Sequence, residues 1–402
     1  MQSSLALAEP IFSPSLKLSS ASALQVQLYE DDGALDTLRT EWDELLEQSE
    51  QCVFFLRWSW VRTWWQTYAP AGSRLYVLAC RAADGQLIGL APLYWQERRF
   101  AGVPHIRDLN FLGTGAGIKT SEHLDCFTRR GFERAFADAC AAFLWQRQDW
   151  DRLWLWSIPE HSKILPHLQA ALGDQTRVIV CDHPHYIDTN ADWETVRQTW
   201  QRKFRYNIER CTRNLYKQHA AEFQRVTTAS ELEPALDEFI QLHQLRWHSK
   251  GQSGSFAYPK FEAFLRETMR QALAENRLGF WTFKLDGQCV ATLLAFLDNG
   301  VAHYFQGGFD MAYAKHSLGS VMVAQCLQAC VDDPAIREFD FMGGGAAYKD
   351  SWTKTTREAY ELELLRPGFR SFLYTTGLKT RRQLGRVRRA VRALRPAPPA
   401  AN

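Results

Sequence analysis

Four side chains in the last quarter of the chain have the types and spacing to move protons: His303, Asp340, Tyr348 and Lys349. Asp340 stands between Phe339 and Phe341, where an unpaired carboxylate is costly, so it must meet a partner or face a cleft. His303 opens the run Tyr304-Phe-Gln-Gly-Gly308, with an imidazole suited either to act as a base or to fill a half-buried strand position. Tyr348, Lys349 and Trp352 follow Gly343-Gly-Gly345 and read as solvent-facing. The strand ending at Gly307-Gly308 leads into a helix opening at Ser317-Leu318-Gly319-Ser320, with Ser317 as its side-chain cap. Unbonded N–H groups and the helix dipole make such a start a receptor for an anion. No GxxxxGK[ST] is present, and no GxGxxG joins a strand to a helix, which argues against a P-loop NTPase and a dinucleotide-binding fold. Cys326 and Cys330 share a helix face and His183 and His185 alternate, yet neither pair has further ligands at metal spacing, so no metal is expected.

Those residues need a frame. The pattern predicts a strand over 301–308, a helix over 318–331 ended by Pro334, and a strand over 336–342: a βαβ unit with parallel strands. Upstream, 279–285 and 289–297 flank Asp286-Gly287, the strongest short hairpin signal. The same grammar occurs at 75–95 around Asp84-Gly85, with Asn110-Phe-Leu-Gly-Thr-Gly115 after it as Tyr304 to Gly308 come after the second hairpin. That repeat implies two α/β units of about 170 residues each, related by duplication. Trp193, Val196, Trp200, Phe204, Ile208, Cys211 and Leu215 form one apolar stripe, predicting a single long helix. Its other faces carry Arg202, Lys203, Arg205, Arg210, Arg213 and Lys217, which suit either a phosphate-bearing partner or plain solvent. Trp58, Trp60, Trp64 and Trp65 recur at helical spacing, the spacing of a core face more than of a sugar-stacking platform.

With 402 residues, 46% hydrophobic and 23% charged, the chain has ordinary globular usage and room for two to three domains. The formal charge of +2 is a property of one end: the 27 residues from Thr376 hold eight Lys/Arg and no acid, leaving 39 basic against 45 acidic residues elsewhere. The body is therefore no general nucleic-acid binder. The tail, with Leu384, Val387, Val391 and Leu394 between its arginines, reads as a basic amphipathic segment able to touch an anionic membrane surface or RNA. Nine scattered cysteines without a CxxC pair, no secretory pattern in the first 24 residues and no run long enough for a transmembrane segment lead to an expectation of a cytoplasmic protein.

Several stretches carry a family likeness: Phe54-Phe-Leu-Arg-Trp58-Ser-Trp60, Gly89-Leu-Ala-Pro92-Leu, His243-Gln-Leu-Arg-Trp247, Tyr304 to Asp310, Ser317-Leu-Gly319, and Asp340-Phe-Met-Gly-Gly344 with Tyr348-Lys-Asp-Ser-Trp352. Over roughly residues 27–370 the chain resembles the CelD/BcsL group of BioF2-like acetyltransferases, in the GNAT superfamily and akin to the FemAB transferases. The resemblance implies an α/β fold of tandem GNAT-like domains, each a mixed twisted sheet flanked by helices. The corresponding boundaries are a flexible segment over 1–24, domains over 25–190 and 191–371, and a tail over 372–402. It further implies transfer of an acyl group from acyl-CoA to an amine or hydroxyl of a small-molecule, sugar or cell-envelope acceptor, as in exopolysaccharide biosynthesis. Acyl-CoA would lie against Phe305, Gln306, Gly307, Ser317, Leu318, Gly319 and Ser320, and the acceptor against Arg205, Arg246, Trp247 and Trp352. Asp340 or His303 would be the base, with Tyr348 or Lys349 orienting the acceptor or protonating the leaving thiolate. The pyrophosphate loop Q/R-x-x-G-x-G/A keeps one glycine here, in Tyr313 to Ser320. FemAB-like transfer from aminoacyl-tRNA and a non-catalytic role in polysaccharide assembly are the alternatives.

Overall fold

The computed structural model describes residues 24–380, apart from 101, 102, 116, 118, 346 and 378. The basic tail from 381 and the segment 1–23 lie outside the described residues. The first half runs β1 (Gln25–Tyr29), α1 (Gly33–Glu47), α2 (Trp58–Tyr68), β2 (Arg74–Leu75), β3 (Val77–Arg81), β4 (Leu87–Ala91), β5 (Leu93–Phe100), β6 (Val103–Phe111), β7 (Phe127–Thr128), α3 (Glu133–Gln146), β8 (Arg152–Pro159), α4 (Leu165–Leu172) and β9 (Arg177–Asp182). The second runs β10 (Tyr186–Asp188), α5 (Trp193–Gln198), α6 (Arg202–Gln218), β11 (Ala221–Arg225), α7 (Ala229–His248), α8 (Pro259–Ala274), β12 (Leu278–Leu285), β13 (Gln288–Asp298), β14 (Val301–Phe309), α9 (Leu318–Asp332), β15 (Glu338–Asp340) and β16 (Ala359–Leu365).

The two halves repeat one plan: strand, two helices, an antiparallel hairpin, a third strand, a crossover helix and a parallel strand. In the second half β11, β12, β13 and β14 are successive antiparallel neighbours and β15 is parallel to β14. In the first half β1, β3 and β4 are antiparallel, β5 pairs β6, and β8 is parallel to β6. Pro92 separates β4 from β5, and the two enter different sheets; proline cannot donate to a ladder, so a strand breaks there. Both Asp-Gly turns close hairpins, and Asp286 and Gly287 both take positive φ (52° and 83°), as a type I′ turn demands.

Each half completes the other. β16 inserts between β8 and β9, while β10 adds to the sheet of the second half beside β15. Alternation along β12 and β13 sends Phe280, Leu294 and Phe296 towards the first half, where Phe54 stacks on Phe296 at 4.3 Å and Trp60 meets it edge-on. The intervening Trp281, Leu293 and Ala295 pack under α9 with Val321, Met322 and Cys326. A buried ion pair crosses the same seam: Arg57 Nε donates to Asp298 Oδ2 at 2.7 Å and Nη2 to Oδ1 at 2.9 Å. Of the α2 tryptophans, Trp60, Trp64 and Trp65 are core and Trp58 packs half-buried against it.

The expected single helix over 193–215 is two. Thr199 ends α5 with its hydroxyl on the Val196 carbonyl (2.8 Å), and Gln201 is extended at φ −56°, ψ 135°. The break lets Trp200 turn inward against Trp193, Phe204 and Trp352. Burying that ring competes with helical continuity, and the apolar stripe alone does not reveal which prevails. All nine cysteines are unpaired. Among the described residues no helix is long and apolar enough to cross a membrane.

Candidate active site

The site opens where β14 and β15 part. Their parallel register lasts from Val301–His303 to Glu338–Asp340, after which β15 stops and β14 continues to Phe309. Across β14 the register slips: Ala295 faces Tyr304 and Leu294 faces Gln306, so Phe305 is the extra residue of a β-bulge. A bulge takes one peptide out of the ladder and re-aims the side chains beyond it. Two cavities meet at this edge. One, of about 370 Å³, runs along Gly307, Gly308 and Phe309 to Ser317–Ser320, Val323 and Trp352. The other, of about 520 Å³, lies over Phe305, Gln306 and the 341–344 loop and reaches Lys119, Glu122, His243, Trp247 and Lys349. Arg246, Lys250, Tyr304, Gly307 and Tyr348 line both.

At the first cavity, the start of α9 is made without the expected cap. Ser317 is left-handed (φ 50°, ψ 37°) and makes no side-chain cap; its hydroxyl accepts instead from Asn207 Nδ2 of α6 at 3.0 Å. Its carbonyl takes the N–H groups of Ser320 and Val321, at 2.8 and 3.0 Å. Gly319 is needed for packing as well: a Cβ there would lie 2.7 Å from the Phe309 ring. Gly308 likewise seats β14 on α7, where a Cβ would come 2.6 Å from the His243 nitrogen.

Between the cavities, Arg246 Nη1 donates to the Gly307 carbonyl at 3.0 Å and its guanidinium lies 5.0 Å from the Phe309 ring centre. Arg246 Nε is buried without a partner. Tyr348 is 44% exposed, and its hydroxyl reaches that of the half-buried Tyr304. Burial pushes both phenols up, so each stays protonated near neutral pH. On α7, His243 Nε2 accepts from Trp247 Nε1 at 2.8 Å, which places its own proton on Nδ1; burial holds it neutral, down to about 4. Gln306 Nε2 donates to Ser255 Oγ at 3.1 Å and its Oε1 is buried and unpartnered.

The loop after β15 is clamped by carboxylates of the first half. Gly343 N–H donates to Glu122 Oε2 at 2.5 Å and Gly344 N–H to Asp182 Oδ2 at 2.8 Å, while Lys119 Nζ bridges the two carboxylates at 2.6 and 3.0 Å. Lys349, expected in solvent, is 5% exposed and donates to the carbonyls of Met342 and Gly343 at 2.8 and 2.6 Å; burial lowers its pKa. Trp352, also expected in solvent, is 2% exposed among Trp200, Phe204 and Phe341. Glycines before these residues suggested an open loop; the chain instead folds back through them.

Asp340 and His303 are not with Tyr348 and Lys349. They line a separate cavity of about 380 Å³ between the halves. There Asp340 meets His123 (2.7 Å) and His303 (3.7 Å), and its other oxygen accepts the Met342 N–H at 2.6 Å. Burial would raise the Asp340 carboxyl, but the two imidazoles hold it well below the usual range. Burial lowers and Asp340 raises His123, the latter prevailing. Phe305, Gln306, Gly307, Ser317 to Ser320, Arg246, Trp247 and Trp352 all line the two joined cavities, whereas Arg205 on α6 lines neither. Lys119, Glu122, His123 and Asp182 were not legible as site residues: they stand some 160 to 220 positions upstream, the first three in a loop without periodicity and Asp182 at the end of β9.

Residues 202–350 match the model of the GNAT acetyltransferase domain. That span holds α6 to α9, β11 to β15, the bulge and Tyr348. No curated protein matches the sequence. Among solved structures the chain is similar to FemX, with a TM-score of 0.59 at 10% identity over 84% of this chain and 98% of that one. It is also similar to a conserved protein of unknown function from Bacteroides thetaiotaomicron (0.54, 10%, 85% and 100%). A third is the C-terminal domain of a putative lysylphosphatidylglycerol synthetase from Agrobacterium fabrum (0.51, 12%, 87% and 97%). At these identities the likeness is one of fold, and its coverage takes in both halves of the chain.

Proposed function

We propose that the protein is a GNAT-type acyltransferase that takes an acyl thioester of CoA in the cavity at the start of α9 and an amine or hydroxyl acceptor in the cavity over the 341–344 loop. The carrying observation is that these cavities meet at the Phe305 bulge with Tyr348 between them. The N–H groups of Leu318 and Gly319 and the cations of Arg246 and Lys250 would hold phosphate. The bulged peptide at Phe305–Gln306 would donate to the carbonyl oxygen as it gains charge. Glu122 is the carboxylate of the acceptor cavity and would take the acceptor proton, while Tyr348, kept protonated by burial, would give its proton to the departing thiolate. Asp340 and His303 then act through position, Asp340 by fixing the Met342 N–H. An acceptor from cell-envelope or exopolysaccharide synthesis is the finer reading that the CelD/BcsL-type resemblance supports.

One observation favours a second reading, transfer from aminoacyl-tRNA. Arg202, Lys203, Arg205, Arg213 and Lys217 on α6 form no ion pair within 4 Å among the described residues, and the same helix is tied through Asn207 to Ser317, which lines the donor cavity. Thermal shift separates the two. A ligand at a hundred times its Kd adds about 2.7 kcal/mol of stability. Stabilisation by acetyl-CoA and CoA, independent of salt beyond screening, supports the first reading; stabilisation by tRNA alone, collapsing with salt, supports the second.

A further inference from the structure

We propose that His123, His303 and Asp340 bind one divalent transition-metal ion that ties the two halves together. Nε2 of His123, Nδ1 of His303 and one Asp340 oxygen all lie within 4.8 Å of one another, and the three residues are buried. Two imidazoles and a carboxylate are a donor set suited to zinc, iron or cobalt. Metal–nitrogen bonds near 2.0–2.1 Å put tetrahedral ligand atoms about 3.3 Å apart. The observed 2.7 Å (His123 to Asp340) and 3.7 Å (His303 to Asp340) bracket that separation.

The second observation is that the three atoms converge on one point with an ion-pair contact between His123 and Asp340 at 2.7 Å and His303 Nδ1 3.7 Å from the same oxygen, but with no hydrogen bond among them. His123 Nε2, His303 Nδ1 and Asp340 Oδ2 are each buried with no hydrogen bond of acceptable angle. Buried polar atoms seldom go unpaired, and three aimed at one point are what an ion resolves. The other Asp340 oxygen is occupied by the Met342 N–H, leaving Oδ2 for a single metal bond. His123 is held in the left-handed region (φ 54°), a conformation that a non-glycine residue keeps where its surroundings impose it. The nearby cation does not veto an ion: Arg357 is paired with Glu338 at 2.5 Å and lies 4.0 Å from the Tyr186 ring centre. The cavity beside the cluster, which Cys52 and His161 also line, leaves room for a further ligand.

The ion would join a loop of the first half to β14 and β15 of the second, and through Asp340 it would stiffen the loop that begins at Met342. The test is titration of the full chain, stripped with chelator, with Co²⁺. One equivalent is expected, with visible d–d absorption, no thiolate charge-transfer band, and a higher Tm. His303→Gln and His123→Gln should each lose at least ten-fold in affinity, and Cys52→Ser should keep it. Failure of the wild-type chain to bind cobalt overturns the proposal whatever the variants do. So do full-affinity binding by both histidine variants that melt like metal-free wild type, and a charge-transfer band abolished by Cys52→Ser.

Discussion

Replacing Lys349 by Met should weaken the acceptor site and spare the donor site. The ammonium is 5% exposed and bonds two carbonyls, those of Met342 and Gly343. A hydrogen bond from a charged group contributes about 1.5–3 kcal/mol, so losing two removes roughly 3–6 kcal/mol from the clamped loop. Relief of the amine's own desolvation, the cause of its lowered pKa, offsets part of that, leaving about 2–4 kcal/mol. Glu122 and Asp182 still hold the amides of Gly343 and Gly344, so the loop stays attached and the change falls on its ordered population. If the acceptor needs the ordered loop, its KM rises by up to about 10³-fold, at 1.4 kcal/mol per decade. The assay is steady-state acyl transfer with each substrate varied, beside calorimetric CoA binding. An unchanged acceptor KM, or a CoA affinity that falls as far as the acceptor's, would refute the reasoning.

The same geometry leads to three further outcomes. Tyr348→Phe should lower kcat by about 10²-fold or more while leaving the Kd for CoA within a few-fold, because only proton donation to the thiolate is lost; pre-steady-state acyl transfer reads this directly. His243 is neutral with a pKa of about 4, against an ordinary 6.5, so the unfolded chain binds the extra proton between those values and stability falls as pH drops from about 6.5 to 4. That loss totals about 3 kcal/mol, and denaturant melts of His243→Gln should show an acid slope shallower by that amount than wild type. Arg57→Leu removes the bidentate partner of the fully buried Asp298, whose Oδ1 still accepts from Arg277 Nη1 at 2.5 Å, and should cost about 1.5–3 kcal/mol, whereas Glu47→Gln on the exposed side of the same arginine should cost under about 1 kcal/mol.

Much of the second half could be read from the chain because its signals are local. The switch from alternation (301–308) to a helical run (from 318) and back (from 336) marks the βαβ unit, and the structure holds it as β14, α9 and a parallel β15, although Ser317 does not cap α9. The Asp-Gly hairpins and the aromatic core face of α2 were legible for the same reason. What was hidden depends on contacts distant in sequence. Nothing near Lys349 announces that Glu122 and Asp182 will fold its loop inward, and nothing near Asp340 announces His123. Trp200 breaks a helix that its own periodicity would continue, because its ring is needed against Trp352. Gly319 reads as room for a ligand, yet the Phe309 ring takes part of that room. A substitution there would disturb packing as well as binding, which disqualifies it as a probe of the donor site.

Ser320 is the better probe. It lines the donor cavity in the first turn of α9, where a glutamate suits the helix dipole and puts a carboxylate where phosphate would sit. Isothermal titration of acetyl-CoA into wild type and Ser320→Glu tests the central claim most directly. Stoichiometric binding by wild type, weakened at least ten-fold in a variant of unchanged or higher Tm, is the predicted result. No binding by wild type, or equal affinity in both proteins, would contradict a donor site at the start of α9.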